Sequence, residues 1–334
     1  ITATIFAAAT GIVGSSVTVK NYYTTIAAGI TASAAGDTID VAAGTYSENI
    51  VVGKSLTLRG AQAGVKATGA DRTGGETVIN GLGNSSSFVV TIEADNVTVD
   101  GFKVDIRNLA RDGINTRTGS PVAPATSALR TGITLVNNWV YCNLPARTNA
   151  VNGIVFGEHV SNAAQAFSAE IANVTIRDNY IGMVTTSSTA TPAAQSITGA
   201  RGIVFTNMFR NSGASLAYTG LVVDGNTVFS TYNTIIQAQL QTRLVGAQFT
   251  NNLIGNSRSG PNLPTLVAGS VFSNNTIQDI APSTDYYSNL TGAYLGVVDS
   301  TVSNNTFRRI GGTAAMVIAG GRSADSTYFP ASAN

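Results

Sequence analysis

The residues best placed to do chemistry are Asp105 and Arg107, two positions apart, followed by Arg111 and Asp112. In an extended strand, residues two apart share a face, so Asp105 and Arg107 would stand side by side, with Arg111 and Asp112 in the following turn. Two guanidinium groups and two carboxylates at that spacing fit a site for an acidic sugar. Arginine grips a carboxylate by two parallel bonds, and aspartate takes a proton or a hard cation. The same four residues also fit a surface ion-pair cluster worth under ~1 kcal/mol. Glu158 and His159 form a second candidate, an acid/base pair at a groove edge or else a solvated turn. His159 is the only histidine, so one chain cannot supply a two-imidazole metal site. Asp100, Asp178 and Asp224 recur near one bend but in different registers, and are not expected to share an ion. Calcium is the one ion the carboxylates could hold, and no resident cofactor is expected. Tyr286 and Tyr287 lie in segment 281–290, where exposed rings could stack on a sugar or pack at the edge of the core.

Composition narrows the partners. Of the 334 residues, 43% are hydrophobic and 11% charged, and the formal net charge is +1. That balance offers no electrostatic pull towards nucleic acid or an anionic membrane, and no apolar run reaches the ~18 residues of a membrane helix. The lone Cys142 excludes an intrachain disulfide and reads as a small core residue beside Trp139 and Tyr141. A start at Ile1 rather than Met points to a processed, exported chain. Six Asn-x-Ser/Thr sites, at Asn84, Asn96, Asn173, Asn274, Asn289 and Asn304, are expected mostly by chance in so Asn- and Thr-rich a sequence.

What must position these groups is a repeat. An apolar residue, two polar or small residues, Asn, any residue and another apolar residue recur from Leu135 to Val140, Ile176 to Ile181, Val223 to Val228, Phe249 to Ile254, Phe272 to Ile277 and Val302 to Phe307. Val99 to Val104 keeps the frame without the Asn. The first apolar positions are spaced by 36, 41, 47, 26, 23 and 30 residues. The shortest spacings imply a unit near 22 residues, and the longest read as two units, with Asn152–Phe156 and Arg201–Phe205 as the intervening coils. Short β-branched strands punctuated by Gly and Asn, with no helical pattern between them, fit a coil of three strands. The expected fold is therefore all-β, a right-handed parallel β-helix of about twelve coils over residues 37–320. Its interior column would be Val99, Leu135, Ile176, Val223, Phe249, Phe272 and Val302. Asn138, Asn179, Asn226, Asn252, Asn275 and Asn305 would form a ladder at equivalent bends.

Solenoid ends are open sheet edges and need covers. Residues 21–36 read as a capping helix, with Asn21 as N-cap, Tyr23, Ile26, Ala27, Ile30 and Ala34 on one face, and Gly36 after its end. Residues 1–20 form an apolar, β-competent segment ahead of it, and residues 321–334 a tail. Asp37–Val41, Gly44–Ile50 (Gly-Thr-Tyr-Ser-Glu-Asn-Ile) and Lys54–Gly60 (Lys-Ser-Leu-Thr-Leu-Arg-Gly) resemble the opening of pectin methylesterases and of other secreted proteins of the pectate-lyase-like superfamily. The close resemblance covers about residues 20–60, and the Asn repeat extends it through most of the rest. It implies a β-helix, secretion and contact with polysaccharide. The Asp-Phe and Arg-Pro-Trp catalytic segments of that esterase family are missing, since no Asp is followed by Phe and Trp139 is preceded by Asn138 and not by Arg-Pro. Neither the calcium-binding Asp cluster of pectate lyases nor the Asn-Thr-Asp, Asp-Asp and Gly-His-Gly motifs of polygalacturonases is found.

The residues therefore favour a non-enzymatic extracellular structural or adhesive rod, with a polysaccharide lyase, hydrolase or esterase as the rival and a tailspike-like glycan binder as a third reading. Ice binding would need a regular Thr-x-Thr file, which Thr134, Thr175 and Thr301 do not make. Because only one end shows a capping helix, the expected partner is a further copy of the chain, joined head to tail through residues 1–14, or else those residues fold back along their own rod.

Overall fold

The computed structural model describes residues 21–70, 72–82, 87–106, 110–116, 130–142, 151–156, 171–182, 200–205, 216–229, 236–238, 242–257, 259–280, 291–311 and 314–320. Segment 1–14, Arg107, Glu158, His159, Tyr286, Tyr287 and the tail 321–334 lie outside them, as does the side chain of Arg111.

One sheet stacks Thr38–Asp40, Thr57–Arg59, Thr98–Asp100, Thr134–Val136, Thr175–Arg177, Val222–Asp224, Gln248–Thr250, Val271–Ser273 and Thr301–Ser303, in that order. A second sheet stacks nine strands from Gly44–Ser47 to Thr306–Ile310, and a third has a longer, branched order. The chain visits the three in turn, and every pairing is parallel. The chain is a right-handed parallel β-helix, the hand that right-twisted strands impose on parallel crossovers. Its described residues make nine levels rather than about twelve, a rod of roughly 40 Å. The long spacings do not contain an intervening coil: Asn152–Phe156 and Arg201–Phe205 are the third strands of the fourth and fifth coils. Insertions lengthen the sequence between repeats without adding a level.

Those insertions are concentrated in the middle of the rod. In the third to sixth coils the third side is divided, with Arg130–Thr131, Ile171–Ala172, Leu216–Thr219 and Thr242–Val245 stacked as an extra file. The single strand Asn262–Val267 of the seventh coil pairs with both files and closes the division.

The expected interior column holds. Val99, Leu135, Ile176, Val223, Phe249, Phe272 and Val302 are consecutive partners, and all but Val302 are fully buried. The six asparagines form a continuous ladder beside it. Asn179, for example, takes both the backbone N–H of Asn138 (2.9 Å) and its Nδ2 (3.1 Å) on Oδ1, and donates from Nδ2 to Leu135 O and to Asn226 Oδ1. The left-handed backbone at this corner belongs to the residue before each ladder Asn: Asn137, Asp178, Gly225, Asn251, Asn274 and Asn304 have φ between 54° and 64°. That conformation favours Gly, Asn and Asp, which explains the Asn-Asn, Asp-Asn and Gly-Asn pairs.

The capping helix is shorter than read, Ile26–Ala32, and its N-cap is Thr25, whose Oγ1 accepts from Ala28 N, not Asn21. Ile26, Gly29 and Ile30 face the first coil, whereas Ala27 is exposed and Tyr23 is 47% exposed. The Glu48 carboxylate accepts from the N–H groups of Ile26 and Ala27, and Lys54 Nζ donates to the carbonyls of Ile30, Thr31 and Ser33. Acid at the N-terminus and base at the C-terminus complement the helix dipole. Both side chains come from the segments that carry the family resemblance, so those segments build the cap.

Candidate functional site

The third sheet carries the polar groups that burial singles out. Asp112, Asn152 and Arg201 are partners in one file on the third, fourth and fifth coils. Each is followed by Gly-Ile: Asp112-Gly-Ile114, Asn152-Gly-Ile154 and Arg201-Gly-Ile203. A Cβ on Gly113 would lie 2.6 Å from Gly153 O and 2.6 Å from the core atom Val140 Cγ1, and one on Gly153 would lie 2.7 Å from Gly202 O. The glycines thus let successive coils close tightly while the residue before each faces away from the core. A second outward file, Asn115, Val155, Val204 and Gln237, runs beside it.

Asp112 is 2% exposed and organises the group. Its Oδ1 accepts from Asn152 Nδ2 (2.6 Å) and its Oδ2 from Asn115 Nδ2 (3.2 Å). A carboxylate only accepts here, so it fixes which way both amides point. Asn115 Oδ1 and Asn152 Oδ1 are left buried with no hydrogen bond, and so is Gln237 Oε1 farther along. The group opens in one direction: Asp112, Asn115 and Asn152 are buried, whereas Arg201 and Gln237 are half-buried.

Asp112 therefore stands in strand Ala110–Thr116 and not in a turn, and strand Phe102–Asp105 ends before Arg107, so the expected shared face of Asp105 and Arg107 does not form within it. Asp105 is buried in the second sheet, in register with Asn80 and Tyr141. Of the expected site residues, the structure brings Asp112 together with Asn115 and Asn152, and places Arg201 and Gln237 farther along the same two files. The signal that could have found Asn152 and Arg201 is the threefold polar-Gly-Ile recurrence; Asn115 and Gln237 carry no such mark.

Other candidates are absorbed by the scaffold. Asp100 Oδ1 accepts from Gly64 N and Asn137 Nδ2, Asp178 pairs with Lys66 at 2.9 Å, and Asp224 Oδ1 accepts from Thr250 and Asn251. Thr38, Thr57, Thr98, Thr134 and Thr175 do form a file, but the positions two residues on are Asp40, Arg59, Asp100, Val136 and Arg177, so no flat threonine face results. Among the described residues no group of three His, Cys, Asp or Glu is placed to hold a metal ion, and no helix is long and apolar enough to cross a membrane.

An aromatic strip lies on the outside of the second sheet. Trp139 meets Tyr141 and Tyr180 at ring-centroid distances of 5.4 and 6.1 Å, Tyr180 meets Phe229 at 6.4 Å, and Lys103 Nζ sits 3.8 Å over the Trp139 ring. These rings satisfy one another and the cation. Burial raises the Tyr180 pKa above its ordinary value of 10.0, because the phenolate would lose solvation. A raised value means that the contribution is full below pH ~10 and is lost as pH rises through the folded-state value. We expect urea unfolding midpoints at pH 9 and 11 to fall less in Tyr180→Phe than in the parent; equal falls would remove Tyr180 as a cause.

No family model matches the chain, and no curated protein matches it. Two crystal structures of the pectin methylesterase from Aspergillus niger are similar to it in fold. The penultimately deglycosylated form matches with 12% identity and a TM-score of 0.35, and the deglycosylated form with 13% and 0.32, each over 94% of this chain and 88% of that one. The likeness concerns the fold alone.

Proposed function

We propose that the chain is an extracellular glycan-binding rod, and that the outer face of the third sheet across the third to sixth coils is its binding site. The observation that carries this reading is the Asp112-centred group. An outward-facing strand position has no structural need for a buried carboxylate and two fixed amides, and burying them costs free energy. The amide oxygens of Asn115, Asn152 and Gln237 are acceptors in want of donors. Sugar hydroxyls supply donors at the spacing of a polar file, and the Arg201 guanidinium adds a group that would select a uronate carboxylate. In sequence, residues 117–129, 143–150, 157–170, 183–199 and 206–215 are inserted between the strands of the third to fifth coils. Asp112 acts in this reading as the organiser of the amides, so binding and not bond cleavage is the function.

Calorimetric titration with neutral and uronate-containing oligosaccharides tests it. We expect saturable binding, weakened about 10- to 100-fold by Arg201→Gln or Gln237→Ala, the range for loss of one hydrogen bond to a charged or buried group. Lys66→Ala, on another corner, should bind as the parent does. Absence of binding across the panel, or equal binding by all variants, overturns the site. New reducing ends or unsaturated products that vanish in Asp112→Asn would replace binding by catalysis.

A further inference from the structure

The outside of the second sheet changes character on the coils that carry the Asp112 group. Val104, Val140 and Ile181 point into the core, so the residues on either side of each point outward. On the third to fifth coils these are Lys103 and Asp105, Trp139 and Tyr141, and Tyr180 and Gly182, in register with one another. On the eighth and ninth coils the same positions hold Thr276 and Gln278, and Thr306 and Arg308. The sheet continues there without rings, so the scaffold does not demand them. Trp139 and Tyr141 stand at 40° to each other, and Lys103 Nζ lies 3.8 Å from the first ring centroid and 5.3 Å from the second. All three side chains are half-buried. Two rings and an ammonium held against one another form a rigid surface with a positive charge on it. Trp139 Nε1 is a buried donor with no acceptor among the described residues. Asp105 and its partner Asn80 repeat the signature of the third sheet, polar side chains buried on outward positions.

We infer that this surface is a stacking subsite for a sugar ring that carries an anionic group, the ring lying against Trp139 and Tyr141 and its carboxylate or sulfate ester on Lys103 Nζ. The subsite, which rests on the reading of the third sheet as a glycan-binding face, extends that face around the corner between the second and third strands of each coil. Its chemistry selects the occupant. A pyranose presents C–H groups on its faces and oxygens around its rim, so the aromatic planes meet the first while Lys103 and the indole N–H meet the second. An apolar protein surface laid on the same rings would desolvate the ammonium and offer it nothing in return. Lysine is a point charge without a planar fork, and it serves a carboxylate and a sulfate ester alike.

Trp139 is the only tryptophan, so its fluorescence reports on this surface. Titrating the full chain with uronate, sulfated and neutral oligosaccharides should change that emission saturably, at the midpoint found by calorimetry. Lys103→Gln should weaken the anionic ligands about 10- to 100-fold and the neutral one by about twofold at most. Lys103→Arg, which keeps a cation over the indole, should stay within about threefold of the parent. Tyr141→Ala should weaken all three about 10-fold. Whichever anion loses more in Lys103→Gln identifies the group that the lysine takes. Calorimetric binding that leaves Trp139 emission unchanged and survives both Lys103→Gln and Tyr141→Ala overturns the subsite and leaves the third-sheet site standing. An equal loss of neutral and anionic ligand in Lys103→Gln makes the lysine structural and overturns its assignment. Losses in Lys103→Gln and Tyr141→Ala, with Arg201→Gln and Gln237→Ala binding as the parent does, support the subsite and overturn the third-sheet reading. Absence of binding by all three ligands overturns both.

Discussion

Asn226→Leu is expected to lower stability by about 4 kcal/mol, because it strands partners on both sides of a fully buried amide. The backbone N–H and Nδ2 of Asn179 lose their acceptor, and Ile176 O, Asp224 O and Asn252 Oδ1 lose a donor. Each stranded group costs about 1–3 kcal/mol where water cannot reach it, partly relieved by local shifts. Leucine also fits a corner shaped for a planar amide poorly, and the coil spacing allows little room to adjust. Asn305→Leu provides the comparison: it strands the Asn275 donors and Phe272 O at a corner that is only partly buried. Its cost should be about half as large. Urea denaturation with an unchanged slope checks both; a loss below ~1 kcal/mol for Asn226→Leu would show the ladder to be incidental to stability.

The second large effect concerns the segment from Gly60 to Glu76, which leaves the rod between the first and second strands of the second coil and lies along the corner of the later ones. Ala67 N bonds Asp178 O, and a Cβ on Gly69 (φ 81°) would stand 2.3 Å from the Tyr180 ring. The segment is fastened by a buried ion pair: Arg72 Nε and Nη2 donate to the two Glu76 oxygens at 3.0 and 2.9 Å, with side chains 5% and 6% exposed. Arg72 Nη1 also donates to Val65 O and Asn137 O. Glu76→Ala leaves that guanidinium buried without its counter-charge, a loss of about 3–5 kcal/mol. The double variant Arg72→Met/Glu76→Leu removes both charges and should recover much of the loss. Thermal unfolding of the two single variants and the pair measures the coupling. A pair no more stable than Glu76→Ala alone would contradict the electrostatic account.

The sequence was most informative where geometry repeats. Val99 through Val302 share a column because a coil that stacks at one strand spacing must return the same residue type to the same place. The asparagines were legible for the same reason, although their backbone role belongs to the preceding residue, visible only once φ is known. Coil number was the weak point, since an insertion and an extra coil lengthen the spacing alike, and only strand pairing separates them. The site was half legible. Asp112 stood out as a charge and the polar-Gly-Ile recurrence marks Asn152, but Asn115 and Gln237 are ordinary polar residues in a chain full of them. What marks them is burial on an outward face, a property of the fold. Glu48 and Lys54 show the converse: their segments were recognisable, yet the side chains clamp the end helix and bear no chemistry.

The ladder also gives the rod an electrical direction. In a parallel sheet the backbone N–H and C=O groups point alternately up and down the stack, so their dipoles largely cancel. The ladder amides do not cancel: every Oδ1 faces the preceding coil, from Asn138 to Asn305. Six side-chain dipoles aligned head to tail polarise one another. They leave partial negative charge at Asn138, on the side towards the helix-capped end, and partial positive charge at Asn305. A molecule with a net charge of +1 thus carries a polarity along its axis that its composition does not disclose.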